Sequence, residues 1–81
     1  MRTIANTLVE GLRAMGMVED KRTTHYRVFI PCADSRLGTQ YPQCRIYVGT
    51  RGALRFSRSG KVTETGMCGD KYRDMVLSRA G

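Results

Sequence analysis

The residues that decide the predicted fold are Cys44–Ser57, which read CRIYVGTRGALRFS. Residues 44–48 and 53–57 are rich in β-branched, aromatic and apolar side chains, a composition typical of strands. Gly49-Thr50-Arg51-Gly52 between them is typical of a tight hairpin turn, because glycine supplies the positive φ that such turns need. Alternation predicts an inward set, Cys44, Ile46, Val48, Leu54 and Phe56, and an outward set, Arg45, Tyr47 and Arg55.

A helix is predicted at the start of the chain. Thr3 is placed to N-cap it, and Gly16 is placed to end it in the left-handed conformation. One apolar stripe follows the period of a helix and consists of Ile4, Leu8, Leu12 and Met15. Gly11 lies inside this helix at a cost of about 1 kcal/mol against Ala, which indicates a place where another element packs closely.

A third strand is predicted between the helix and the hairpin. It follows a polar connection at 19–23, covers residues 25–30 and is stopped by Pro31. Alternation separates Tyr26, Val28 and Ile30 from His25, Arg27 and Phe29. We expect the second set to face outward, beside the outward residues of the hairpin.

The remaining segments are a long loop and a second helix. Residues 31–43, PCADSRLGTQYPQ, contain two prolines and several small polar residues, and they predict a flexible loop. Ser59-Gly60 indicates a further turn, and 62–63 could briefly extend the sheet. Asp70 is placed to cap a last helix whose stripe is formed by Tyr72, Met75, Val76 and Arg79.

These segments predict a single domain over residues 1–81, in the order α-β-β-β-α. Two amphipathic helices each have one stripe to bury, and an antiparallel sheet has one apolar face to receive them. The predicted fold is therefore α+β, a two-layer sandwich of a three-stranded antiparallel sheet with both helices on one face.

Composition excludes several classes of protein. The 81 residues are 41% hydrophobic and 26% charged, which is typical of a soluble globule. No apolar run approaches the roughly 20 residues of a membrane span, and no secretory signal is visible, so we expect a cytoplasmic protein.

Cysteine usage favours reduced thiols over disulfides. Cys32, Cys44 and Cys68 are odd in number, and their spacing contains no C-x-x-C pair. A zinc site formed by these three thiols and His25, the single histidine, is the alternative. The sequence indicates no other cofactor.

Charge is the most informative property of the composition. The chain has 14 basic and seven acidic residues, a formal net charge of +7. Residues 35–63 contain no acidic residue, while their cations are Arg36, Arg45, Arg51, Arg55, Arg58 and Lys61. Clustered arginine attracts polyanions, because the planar guanidinium group suits phosphate. Solubility is the alternative explanation for the same charge.

The outward sheet face combines these cations with aromatic rings. Single-stranded nucleic acids are bound in this way, because bases stack on rings while arginines hold phosphates. The predicted nucleic-acid-binding residues are Arg27, Phe29, Arg45, Tyr47, Arg51, Arg55 and Arg58. His25 at the end of its strand is the one candidate catalytic residue, as a general base on an RNA 2′-hydroxyl.

One pattern covers most of the chain and consists of the first helix with Gly16-Met17, of Tyr26–Phe29, of the hairpin Ile46-Tyr47-Val48-Gly49-x-x-Gly52-Ala53-Leu54-Arg55 and of a short C-terminal helix. In this pattern the chain resembles small proteins of no established activity that tailed bacteriophages and prophages encode. It implies a phage or prophage setting and the cytoplasm of a host cell.

Two further features of the sequence are Thr24-His25, nine residues after Gly16, and the ending Leu77–Gly81. In these features the chain is similar to HicA-type toxins, which are small basic mRNA interferases with an αβββα fold. Thr23 stands where that family has glycine, and the central hairpin region is different. The resemblance implies a ribonuclease that uses His25.

The sequence therefore predicts a non-enzymatic module that binds RNA or DNA through an arginine-rich sheet face and hairpin. One alternative is a module that binds an acidic host protein and modulates a host enzyme, since positive charge steers protein association as well. A second alternative is the HicA-like ribonuclease. Both a monomer and a homodimer are compatible with the sequence.

Overall fold

A computed structural model describes residues 3–81 and consists of a sheet with helices packed on one of its faces. The helices are α1 (Ile4–Ala14), α2 (Arg36–Gln40) and α3 (Asp70–Arg79). The strands are β1 (Val18–Arg22), β2 (Tyr26–Ile30), β3 (Arg45–Gly49), β4 (Leu54–Ser57) and β5 (Gly66–Met67). A 3-10 turn, Val62–Glu64, lies between β4 and β5. None of the helices within residues 3–81 has the length and apolarity that crossing a bilayer requires.

The five strands form one antiparallel sheet in chain order. In the centre of the sheet, Phe29 of β2 lies opposite Ile46 of β3, and Ile46 lies opposite Phe56 of β4. On the other face, Val28 lies opposite Tyr47, and Tyr47 lies opposite Arg55. Because paired residues share a face, these registers fix which side chains meet the helices.

The α+β class is confirmed, but the predicted numbers of strands and helices are too low. The stretch 19–23 was expected to be a connection, yet Val18–Arg22 pairs with β2 as an edge strand. Its side chains are almost all exposed and charged, so apolar alternation does not reveal it. Residues 31–43 were predicted to be a loop, but they contain the short helix α2. The Ser35 hydroxyl caps this helix by accepting a hydrogen bond from the Gly38 N–H. The 62–63 segment is a 3-10 turn, and β5 follows it.

The core lies between the sheet and the helices α1 and α3. Its fully buried members are Leu8, Leu12, Phe29, Ile46, Val48, Leu54 and Val76. Phe29 is 0% exposed in this core, so the prediction that it faces outward is wrong. Both faces of β2 carry apolar residues, and alternation within this strand alone cannot decide which face meets the helices.

The ends of α1 follow the predicted capping pattern. The Thr3 hydroxyl accepts a hydrogen bond from the Asn6 N–H at 3.1 Å. At the other end, the Gly16 N–H donates to the Arg13 carbonyl and the Met17 N–H to the Leu12 carbonyl. Gly16 has a φ of 89°, so this is a Schellman arrangement that turns the chain into β1.

The helices α1 and α3 approach each other closely at Gly11. A β-carbon at this position would lie 2.0 Å from the carbonyl oxygen of Val76. No real side chain tolerates that distance, and the obstacle is backbone on the neighbouring helix. The prediction that Gly11 permits close packing is confirmed.

We expect Gly11→Ala to lower the free energy of unfolding by about 2–3 kcal/mol, because the methyl group forces α1 and α3 apart. Urea denaturation followed by circular dichroism measures this. Gly66→Ala is the matched control, since a β-carbon there meets nothing within 4 Å. An equal loss of stability in both variants would contradict the close approach of the helices.

Candidate nucleic-acid interface

The sheet face away from the helices carries a cleft of about 370 Å³, here called the tyrosine cleft. It lies at the end of the sheet where the β3–β4 hairpin turns. Its lining residues are His25, Tyr26, Tyr47, Gly49, Thr50, Arg51, Ala53, Arg55, Val62 and Thr65. None of the described residues that line it is acidic.

Two tyrosines form the floor of the tyrosine cleft and have different roles. Tyr47 is only 5% exposed, and its hydroxyl donates to the Gly60 carbonyl at 3.1 Å. Burial raises the pKa of Tyr47. Tyr26 meets the Tyr47 ring edge-to-face, with 5.3 Å between centroids, and is only partly buried. Tyr47 therefore supports the floor, while the Tyr26 ring is available to a ligand.

One wall of the cleft is the segment that crosses the sheet after β4. The buried Ser57 hydroxyl donates to the Lys61 carbonyl at 2.8 Å and accepts from the Gly60 N–H at 3.1 Å. These bonds fold the chain back over the sheet and bring Val62 to the cleft. The buried Ser57 hydroxyl therefore holds this wall against the sheet through two hydrogen bonds to its backbone.

The opposite wall is the hairpin turn, which both long helices hold in place. Gly52 has a φ of 89°, and a β-carbon there would lie 2.6 Å from the Ile4 side chain of α1. From α3, the Arg73 guanidinium donates to the Gly52 carbonyl at 2.5 Å. The Thr50 N–H also donates to the His25 carbonyl, which joins the hairpin to the β1–β2 turn. The position of Arg51 is therefore set by packing from three elements.

Arg51 and Arg55 supply the charge of the cleft. Both are exposed, and neither has an ion-pair partner within residues 3–81. His25 is exposed at the same end of the sheet. With no carboxylate in the lining, this arrangement attracts anions, and the exposed guanidinium groups can reach phosphate oxygens.

The structure separates Arg45 and Arg58 from this group. The Arg45 guanidinium donates to the carbonyls of Gln43 and Cys44, at 3.3 and 2.7 Å. Arg58 lies over the Tyr41 ring, 5.2 Å from its centroid, beside a different and mainly apolar groove. Neither arginine lines the tyrosine cleft, although both were predicted to bind with its residues.

Arg27 faces the helix side of the sheet, so its predicted outward position is wrong. Its guanidinium donates to both carboxylate oxygens of Glu19, at 2.8 and 2.5 Å. Arg13 lies 3.1 Å from the same carboxylate, and Arg22 lies 3.9 Å from it. The hydrogen bond from Arg27 holds the pKa of Glu19 at about 2, although burial opposes this shift.

The cysteines are all free thiols, and they do not converge on a metal site. Within residues 3–81, no group of three or more His, Cys, Asp or Glu side chains is placed to hold a metal ion. Cys44 is fully buried, and burial raises the pKa of both Cys44 and Cys68, that of Cys68 to about 11. Such thiols are predominantly protonated at neutral pH and are therefore weak nucleophiles and metal ligands.

Comparison with known proteins gives no match to this chain among family models, curated proteins or solved structures. The resemblances to phage proteins and to HicA-type toxins therefore stay predictions.

Four residues singled out in the sequence lie together in the tyrosine cleft, namely His25, Tyr47, Arg51 and Arg55. Sequence reasoning missed Tyr26, because it placed this residue on the core side. The residue that could have placed Tyr26 on the correct face is Glu19, in the polar stretch 18–22. Glu19 shares a face with Phe29 in the β1–β2 pairing, and its carboxylate pairs with Arg27.

The low pKa of Glu19 makes part of the stability depend on pH. Its ordinary pKa is 4.5 and its folded pKa is about 2, so the stabilisation is present above about pH 4.5 and is lost as the pH falls toward 2. Glu19→Gln removes this dependence. Between about pH 5 and pH 2, we expect the wild-type protein to lose about 1–2 kcal/mol more unfolding free energy than the variant, allowing for solvent screening.

Urea denaturation across this pH range measures the difference. Asp74→Asn is the control, because Asp74 is an exposed carboxylate outside this cluster. If Glu19→Gln and Asp74→Asn had the same pH profile, the three arginines would not stabilise the Glu19 carboxylate.

Proposed function

We propose that this protein is a non-enzymatic module that binds single-stranded nucleic acid through the tyrosine cleft. One observation carries the proposal: the partly buried Tyr26 lies in a cleft with Arg51 and Arg55, which have no ion-pair partner within residues 3–81, and none of the described lining residues is acidic. This is the combination of stacking surface and positive charge that single strands require.

The dimensions of the cleft fit one base and its backbone. A volume of about 370 Å³ lies within the range of sites that hold small ligands. A base stacked on Tyr26 contributes about 1–3 kcal/mol, and it needs no particular sequence because every base has a π-face. Arg51 and Arg55 then hold the flanking phosphates.

A single strand fits this cleft better than a duplex does. Bases in a duplex are stacked on each other, so their faces are not available to Tyr26. The cleft is also enclosed on two sides, by the hairpin turn at Arg51 and by the crossing segment at Val62. An unpaired base can enter between these walls.

His25 has the role of a binding residue in this proposal. It lines the cleft, but none of the described lining residues is a carboxylate that could orient its imidazole as a general base. Its exposed ring adds a hydrogen-bond donor to the same anion-binding surface. Cleavage of the oligonucleotide would instead indicate a ribonuclease, and absence of oligonucleotide binding would indicate a module for an acidic protein.

The test replaces the two cleft arginines together, as Arg51→Ala with Arg55→Ala. Fluorescence anisotropy measures the affinity for labelled single-stranded oligo(dT) and oligo(U) between 50 and 200 mM salt. We expect at least a tenfold loss of affinity at the lower salt concentration. The slope of log affinity against log salt should fall in magnitude by about 1.4, since each phosphate contact on a single strand contributes about 0.7.

The matched control is Arg36→Ala with Arg79→Ala, which removes two exposed arginines outside the cleft. We expect its affinity to stay within twofold of the wild-type protein. Equal losses in both double variants would mean that net charge alone binds the oligonucleotide. Oligo(U) cleavage that His25→Ala abolishes would instead establish the ribonuclease, and absence of oligonucleotide binding would favour the acidic protein partner.

A further inference from the structure

We infer that the bound strand continues from the tyrosine cleft over the end of the sheet into a second cleft on the helix side. This inference rests on the proposed function and adds a second subsite for the same ligand. Residues of α1, of the β1–β2 turn and of the hairpin line this second cleft, here called the threonine cleft. Its polar lining residues include Thr3, Asn6, Arg22, Thr23, Thr24 and Thr50.

The two clefts meet at three shared residues, Tyr26, Gly49 and Thr50. Tyr26 lies opposite Gly49 at the ends of β2 and β3, and beyond this pair the hydrogen bond from the Thr50 N–H to the His25 carbonyl closes the end of the sheet. Gly49 has no side chain to obstruct the passage between the two faces, and Thr50 beyond it is exposed. A flexible single strand can therefore cross the end of the sheet at this point.

Tyr26 lies between the two clefts, and the turn that precedes it holds its backbone in place. The Thr23 hydroxyl donates to the Tyr26 carbonyl at 3.1 Å and accepts from the Tyr26 N–H at 3.1 Å. The His25 N–H also reaches this hydroxyl, at 3.3 Å. The backbone that carries the stacking ring is thus fixed, which lowers the entropic cost of binding.

The threonine cleft has the same charge character as the tyrosine cleft. The described residues that line it include no Asp or Glu. Its most exposed arginine is Arg22, whose side chain is 64% exposed and forms only a long ion pair, 3.9 Å, with Glu19. Arg13 and Arg27 already donate to that single carboxylate, so three positive charges meet one negative charge and the cluster keeps a net charge of about +2.

The side chains beside Arg22 complete a phosphate- and sugar-binding surface. Asn6 and Thr24 are exposed at the mouth of the cleft and offer amide and hydroxyl donors. Such neutral donors commonly hold phosphate and sugar oxygens without reading the base. A strand with one base on Tyr26 therefore has cations on both sides of that base, Arg51 and Arg55 on one side and Arg22 on the other.

This arrangement predicts that affinity depends on the length of the strand. A dinucleotide fills the tyrosine cleft alone, whereas a longer strand reaches Arg22 as well. We expect affinity to rise steeply from dinucleotide to octanucleotide, and Arg22→Ala to remove part of that rise. The variant should bind octanucleotide about fivefold more weakly, with a salt slope about 0.7 smaller in magnitude, and should bind dinucleotide within twofold of the wild-type protein.

The experiment is isothermal titration of the full chain with oligo(dT) and, in parallel, oligo(U) of two to eight nucleotides. Lys21→Ala is the matched control, because Lys21 is the neighbouring cation of β1 but lies opposite Val28 on the other face and lines neither cleft. We expect Lys21→Ala to leave every length within twofold.

The possible results separate this inference from the proposed function. Length-dependent weakening in Arg22→Ala, but not in Lys21→Ala, supports the second subsite. If Arg22→Ala binds every length like the wild-type protein, or weakens all lengths equally, the second subsite is overturned while the loss in the Arg51 and Arg55 variant still stands. If neither oligo(dT) nor oligo(U) of any length binds, the proposed function and this inference fail together.

Discussion

The close approach of α1 and α3 at Gly11 is the constraint on which the rest of the structure depends. The Val76 carbonyl occupies the space that a side chain at position 11 would need, so the two helices pack as one layer. That layer covers the apolar sheet face formed by Phe29, Ile46 and Leu54. Most of the buried hydrophobic residues within residues 3–81 belong to this one core between helices and sheet.

The helix layer also determines where the candidate binding site can form. Ile4 at the start of α1 packs against Gly52, and Arg73 of α3 donates to the Gly52 carbonyl. Both contacts hold the β3–β4 turn from the helix side, so the turn presents Arg51 to the opposite face. The backbone that carries Arg51 is therefore pre-organised, because these contacts hold the turn before any ligand arrives.

The ion pairs decide which arginines are neutralised and which are not, and the amino-acid composition does not contain this information. Glu19 forms ion pairs with Arg13 and Arg27 at the helix side of the sheet, and a longer one, 3.9 Å, with Arg22. Arg51 and Arg55 have no such partner within the described part of the chain. The hairpin end of the sheet therefore carries two cations that no carboxylate of residues 3–81 pairs, and under the proposed function these cations attract the anionic strand.

The sequence by itself determined the features that depend on local chemistry. Thr3 and Gly16 mark the ends of α1, Gly49–Gly52 marks the hairpin, and the acid-free run 35–63 marks the positive region. Only the tertiary structure decided which face of β2 meets the helices, because both faces are apolar and Phe29 finds its place through its pairing with Ile46. It also decided which arginines are free, since the partners of Glu19 come from three separate elements. Capping and turn preferences act over a few residues, whereas strand register and ion pairing join residues that are distant along the chain.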